Sequence, residues 1–269
     1  TAFQRLAAPI LYADPRFRPP SETIMRGAGP QSSLWPHAIS GDLPIVLLRI
    51  DDIGDAQVRE LLRAHEYWHM KRLDVDHVDL YYIHRPDGVT PPEDAYGAVM
   101  RMKEDGLIRA GGLSNFELDG LKAAAKAGPI DALQSQFNML QRQVEPEILP
   151  YCTENDIAFV PWGPIAYGVL GGKYTRDFEL GENDWRHRSG VFGDAYARNM
   201  DIVDGLRPLS KEWDIPLAHL AVRWLLAKPG VGSVITGAKT TAQVEDNVAA
   251  SSAELSLEQL AQLEAVLQR

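Results

Sequence analysis

The chain carries a single cysteine, Cys152, which excludes a disulfide framework and suits a reducing compartment. No stretch approaches the run of about 18 apolar residues that a membrane-crossing helix needs, and no signal-peptide pattern is read at the start. Positive charge is also scarce: 27 Lys and Arg stand against 37 Asp and Glu, a net charge of −10. Neither nucleic acid nor an anionic membrane surface is therefore an expected partner. What is left is the expectation of a soluble, cytoplasmic, globular protein. Its 269 residues match the size of one barrel domain, about 250 residues.

From residue 75 onward, short apolar runs alternate with helical patterns, the signature of βα units on a parallel sheet. Val78–His84 (VDLYYIH) predicts the first strand. Further strands are predicted over Ile108–Ser114, Ala132–Phe137, Ile157–Trp162 and Gly232–Ile235. Helices are predicted from Pro92 to Asp105 and over Leu118–Ala127, the latter closed by Gly128 and Pro129. Others follow over Glu145–Asn155, Ala197–Trp213, Leu217–Ala227, Thr241–Ala250 and Ser256–Gln268. Gly171–Gly193, rich in charge and glycine, reads as a long surface loop. The first seventy residues are punctuated by Arg16–Pro20, Gly27–Pro30 and Leu34–Pro36, and offer only Ile45–Ile50 as a strand and Val58–Leu73 as a helix.

In parallel α/β folds the site gathers at the C-terminal ends of the strands. The polar residues there are His84, then Ser114 and Asn115, then Gln134, then Trp162, and finally Gly237 to Lys239 before a helix. Each alone has a plain structural reading: a satisfied histidine, a Ser-Asn turn or cap, a core tryptophan. Their recurrence at the same end of successive strands favours a site.

These same segments resemble the aldo-keto reductase family. LDVDHVDLYYIHRPD (Leu73–Asp87) is similar to the family's fourth-strand signature, ending in the catalytic histidine. GLIRAGGLSNF (Gly106–Phe116), ALQSQFNMLQR (Ala132–Arg142) and FVPWGPIAYGVLGGKY (Phe159–Tyr174) resemble the fifth, sixth and seventh strand motifs. VRWLLAKPGVGSVITGAKTTAQVEDN (Val222–Asn247) resembles the eighth strand with its phosphate loop. The resemblance implies an α/β fold, a (β/α)₈ TIM barrel, as a single domain over 1–269 that lacks or distorts its first two or three strands. It also implies an oxidoreductase interconverting a carbonyl and an alcohol with NADP(H), and a small-molecule carbonyl or alcohol as partner. His84 would polarise the carbonyl or assist proton transfer, while Ser114, Asn115 and Gln134 would hold the carboxamide. Trp162 stands where the family usually has a tyrosine stacked on the nicotinamide. Pro164, Ile165, Gly168 and Lys173 would lie over the pyrophosphate. Gly237, Ala238, Lys239 and Thr240 would open the phosphate-binding helix. Gln243, Asp246 and Asn247 match positions near the adenosine, and Lys239 could pair with a 2′-phosphate, favouring NADP(H) over NAD(H).

The family chemistry also needs a tyrosine proton donor, with a lysine and an aspartate that lower its pKa. The corresponding Asp-Thr-Ala, Tyr-Gly and strand-ending lysine are not found before His84. Thr1-Ala2 is followed by Phe3-Gln4-Arg5-Leu6, which does not continue the pattern; Tyr12 and Asp14 are available but no Tyr-Gly follows, and Arg49 holds its proton too tightly. Asp94-Ala95-Tyr96-Gly97 falls on the helix after strand four, away from the strand ends, and is set aside. The expectation is that the first two strands are missing and that much of 1–70 is a corrupted or divergent stretch. A catalytically silent nucleotide-binding module, or an inactive fragment, is the alternative reading.

His65-Glu66-Tyr67-Trp68-His69 matches the HExxH pattern of zinc hydrolases. Arg72 and Val75 stand where a metzincin would place Gly and its third ligand, and no metal is expected. Trp185-Arg186-His187-Arg188 reads either as a gate or cofactor clamp, or as a loop that orders on binding. Cys152 reads as a structural residue on a helix.

Overall fold

The computed structural model describes residues 77–252 and 254–268. Ile45–Ile50, Val58–Leu73, the HExxH stretch, Tyr12, Asp14 and Arg49 lie outside the described residues. The chain divides into two compact units, and the second, Leu80–Lys103 with Ala110–Arg269, holds the packing described below. Of the first unit, the described residues include an Arg109–Asp79 ion pair at 2.9 Å on an exposed surface.

Strands β1 (Val78–Ile83), β2 (Ile108–Ser114), β3 (Ala132–Gln136) and β4 (Ala158–Trp162) form one sheet in the order β1-β2-β3-β4. Helices α1 (Pro92–Glu104), α2 (Leu118–Ala124) and α3 (Ile148–Glu154) alternate with them, and α4 (Tyr196–Glu212), α5 (Leu217–Leu226), α6 (Thr241–Ala250) and α7 (Leu257–Leu267) follow. β2, β3 and β4 pair in parallel. Each expected strand and helix in this region is present, with ends shifted by a few residues. The exception is Gly232–Ile235, which lies beside β4 through two isolated parallel bridges, Phe159 to Val231 and Trp162 to Ile235. Its hydrogen bonds to β4 are those of a strand: Gly232 N–H donates to Phe159 O at 3.1 Å and Ile235 N–H to Pro161 O at 2.9 Å.

The register separates two faces. Leu113, Leu133 and Phe159 align across three strands and are all fully buried. This row packs beneath the helices, with Phe137, Phe159 and Trp224 in ring contact. On the opposite face, by the two-residue alternation of a strand, Gly112, Ala132 and Ala158 form one row and Ser114, Gln134 and Val160 the next. Gly112 is required there: a Cβ would stand 2.5 Å from the Tyr82 ring and 2.9 Å from Ala132 O. This second face carries the polar strand-end residues.

Around it the fold is fastened by polar links. Tyr96 on α1 is fully buried and its hydroxyl lies 2.8 Å from Pro129 O and 3.0 Å from Gly111 O. The Asp94–Gly97 tetrapeptide therefore has its tyrosine committed to the helix-side core, as its helical placement predicts. Asp131 accepts from Lys103 Nζ at 2.7 Å and from Gly111 N–H at 2.8 Å. The C-terminal helix α7 opens with a capping box between Ser256 and Gln259.

Candidate active site at the strand ends

Asn115, the residue after β2, joins three elements. It takes the left-handed backbone conformation, φ 60°, which asparagine tolerates better than other non-glycine residues. Its Nδ2 donates to His84 O and to Ser114 Oγ, both at 3.0 Å, and its Oδ1 accepts from the Trp162 indole N–H at 3.0 Å. Both Nδ2 hydrogens of Asn115 are thus engaged and its amide ties the end of β1 to the end of β4, while Oδ1 keeps one lone pair beyond that taken by Trp162. Ser114 is buried, and after accepting from Asn115 its hydroxyl still has a proton to donate. Gln134, its cross-strand neighbour, has no hydrogen-bond partner for its side-chain amide among the described residues. A hydroxyl with a proton to donate and an amide unengaged among the described residues on a common row, near an indole held through its N–H, make a donor and acceptor set that fits a primary carboxamide on an aromatic ring. His84 is exposed just beyond β1.

Sequence reasoning missed a second cluster above this row. Gln136 aligns with Trp162, and its Nε2 donates to the Tyr167 hydroxyl at 2.9 Å and to Gln141 Oε1 at 2.8 Å. Gln141 Nε2 in turn donates to Ser189 O at 2.9 Å, anchoring the long loop. Strand alternation alone places Gln136 on the Gln134 face, so this residue was within reach of the pattern. Tyr167 was not: it sits in a left-handed turn, φ 55°, after Ala166 at φ 46°, a strained pair that no propensity indicates. Burial raises the Tyr167 hydroxyl above the ordinary tyrosine range despite the Gln136 hydrogen bond.

The long loop contains two short 3₁₀ turns, Trp185–Arg188 and Gly193–Ala195. Trp185 packs its ring edge-to-face with Tyr167, centroids 5.2 Å apart. Arg186 is occupied within the loop: it pairs with Asp184 at 2.6 Å, donates to the Tyr174 hydroxyl at 2.7 Å, and lies over the Phe192 ring. The Arg186 guanidinium and backbone N–H pull Asp184 down to about 2. Arg186 is therefore held by loop partners, and Trp185 is the member of the motif that faces the strand-end cluster.

Among the remaining expected residues, Pro164 is buried, Ile165 is half-buried and Lys173 is exposed. Gly168 adopts φ 97° with Tyr174 close to its missing side chain. In the last βα connection, Thr240 caps α6 and its hydroxyl accepts from Gln243 N–H. Gln243 Oε1 accepts from Lys239 N–H at 2.6 Å, and Asn247 Nδ2 donates to Gly237 O at 3.3 Å. These contacts pre-form the loop from Gly237 to Thr240 while leaving the Lys239 ammonium without an ion-pair partner among the described residues. Asp246 pairs with His219 of α5 at 2.9 Å. A cavity of about 350 Å³ opens between α5 and α6, lined by Val222, Leu226, Val234, Thr236, Ala238 and Val244 among others.

Cys152 is fully buried on α3 and burial pushes its thiol up to about 12, so it is no nucleophile at neutral pH. Among the described residues there is no group of three or more metal-ligating side chains, and no helix is long and apolar enough to cross a membrane.

Residues 60–268 match the Aldo/keto reductase family profile. The chain belongs to that family. It is 32% identical to aldo-keto reductase YhdN of Bacillus subtilis, over 65% of this chain and 54% of the relative. It is 29% identical to the NADH-specific methylglyoxal reductase of Escherichia coli, over 76% of this chain and 65% of the relative. Among solved structures, the glycerol dehydrogenase of Gluconobacter oxydans superposes with a TM-score of 0.72 at 26% identity, covering 78% of this chain and 64% of that one. The chain thus spans between about half and two thirds of the length of these relatives. Its sheet with alternating helices is that of the family's TIM barrel.

Proposed function

We propose that the chain is an oxidoreductase interconverting an aldehyde or ketone with an alcohol, using a nicotinamide dinucleotide and preferring NADP(H) to NAD(H). The observation that carries this reading is the placement, side by side in the sheet register, of the Ser114 hydroxyl and the Gln134 amide, unengaged among the described residues, near the Asn115-held indole of Trp162. When bound, the dinucleotide supplies or accepts the hydride. Ser114 and Gln134 hydrogen-bond the carboxamide and so choose the ring face that is presented. Asn115 acts through its neighbours, holding the His84 carbonyl and the Trp162 ring in place, and Trp162 offers its face for stacking. His84, at the open end of β1, is the group that polarises the carbonyl or moves a proton at its imidazole.

Pro164, Ile165, Gly168 and Lys173 border the pyrophosphate. Gly237, Ala238, Lys239 and Thr240 lead into the N-terminus of α6, where free N–H groups and the helix dipole favour phosphate. Gln243, Asp246 and Asn247 stand by the adenosine, and the Lys239 ammonium, without an ion-pair partner among the described residues, suits a 2′-phosphate.

The test is titration of the purified chain with NADPH and NADH, followed by turnover of a panel of aldehydes. Saturable binding with turnover is expected. Lys239→Ala should weaken NADPH about tenfold, the size of one charge-assisted contact, and leave NADH unchanged. Binding without turnover would favour a silent nucleotide-binding module; failure to bind either cofactor would refute the reading.

A further inference from the structure

Helix α6 bears the residues that the proposed function assigns to the adenosine end, yet it is weakly buried. Of its ten residues, only Ala250 at its C-terminal end is buried. Two polar links join it to α5. Near its last turn, Arg223 Nε donates to Ala250 O at 2.9 Å. Nearer the middle, His219 Nε2 lies 2.9 Å from Asp246 Oδ1. His219 and Arg223 are four residues apart and so share one face of α5. The two partners at the middle link differ in exposure: the His219 side chain is 11% exposed, the Asp246 side chain 62%. A buried imidazole therefore grips one carboxylate oxygen from below, and no hydrogen bond among the described residues engages the other oxygen.

Resting on the nicotinamide reading above, we propose that His219 is a positioning residue for the adenosine end of the cofactor. It fixes the Asp246 carboxylate so that its second oxygen faces an amine or hydroxyl of the nucleoside. It also sets the angle of α6, and with it the loop from Gly237 to Thr240. With the ring pinned by burial, Nε2 can hold Asp246 in a single rotamer before ligand arrives, which lowers the ordering cost of binding. His219 touches neither the reacting atoms nor the ring end of the cofactor. Its influence is accordingly confined to the adenosine half.

The experiment compares wild type with His219→Leu, of similar size without a donor, and His219→Gln, whose amide nitrogen can reach the position of Nε2. Each full-length protein is titrated with 2′,5′-ADP and, at millimolar concentration, with nicotinamide mononucleotide. Amide hydrogen exchange of α6 is measured without ligand. His219→Leu should weaken 2′,5′-ADP about tenfold, leave nicotinamide mononucleotide unchanged and speed exchange in α6. His219→Gln should recover most of the affinity. Equal 2′,5′-ADP binding by wild type and His219→Leu overturns the proposal alone. So does loss of both half-ligands together without rescue by His219→Gln, the mark of general loosening. A wild-type chain that binds neither half-ligand overturns the nicotinamide reading, and this proposal with it.

Discussion

The C-terminal helix α7 is fastened by a cluster whose removal has a calculable cost. Glu264 Oε1 accepts from the Trp224 indole N–H at 2.9 Å and from Lys228 Nζ at 2.7 Å, and Oε2 accepts from Arg142 Nη1 at 2.9 Å. Glu145 is bonded by the same two cations, Arg142 and Lys228. Lys228 and Arg142 also lie over the Trp224 ring, 4.1 and 5.2 Å from its centroid. The four charged side chains are between 17% and 28% exposed, so water screens them only in part. Removing one partner of a fully buried pair costs about 3 to 5 kcal/mol. In Glu264→Ala both cations keep Glu145, while the indole N–H and the Arg142 Nη1 group lose their Glu264 partner, the latter on a side chain that water still reaches, so about 2 to 3 kcal/mol is expected, a fall in Tm of roughly 5 to 10 °C. Glu145→Ala should cost less, because no buried neutral donor loses its partner. The double variant strips both cations and should exceed the sum of the single losses by at least about 1 kcal/mol. Burial raises both carboxyls, but their hydrogen bonds, led by Arg142 at Glu145 and Lys228 at Glu264, outweigh it and hold both below the ordinary glutamate value. A folded pKa that is depressed stabilises above the unfolded pKa, about 4.3, and the gain disappears as pH falls through the folded value. The gap between wild type and the double variant should therefore be full at neutral pH and shrink below about pH 4. Thermal and urea unfolding of the full chain measure all of this. Additive losses, or a gap that persists in acid, would refute the reasoning.

Three further outcomes are expected. Cys152, being the chain's one thiol, should react with a disulfide reagent only after denaturation, since its thiol is buried and pushed up to about 12; rapid stoichiometric labelling of the native chain would contradict this. Asn115→Gly keeps the left-handed backbone and removes only the side-chain ties, whereas Asn115→Ala adds a conformational cost of about 1 to 2 kcal/mol. Both should weaken nicotinamide-side binding, with the alanine variant also less stable in urea; equal stability would count against strain at φ 60°. Ser135→Ala should be neutral or stabilising, because the buried Ser135 hydroxyl has no hydrogen-bond partner among the described residues and its removal forfeits no hydrogen bond there; a loss above about 1 kcal/mol would show a bonded hydroxyl.

What the sequence could reveal of the fold and site follows from the range of each signal. Period and punctuation are local, and among the described residues they located each strand of the sheet and the helices around it. The buried row Leu113, Leu133 and Phe159 needs only alternation and apolar residues. Gly232–Ile235 reads as a strand for the same reason, although it meets β4 through isolated bridges rather than a continuous ladder. The strand-end residues were found because parallel strands deliver their C-termini to one side, a topological consequence independent of side-chain detail. Partner choice is another matter. Asn115 reads as a carboxamide contact, yet its amide is engaged by His84, Ser114 and Trp162, residues as far as 47 positions away. Likewise Asp246 reads as an adenosine contact, while its link to His219 depends on the relative rotation of two helices. In both cases a residue type suited to ligand chemistry is held by an intramolecular partner. Such partners set the geometry of a site, and the sequence pattern, which records faces but not the angles between elements, leaves them to the folded structure.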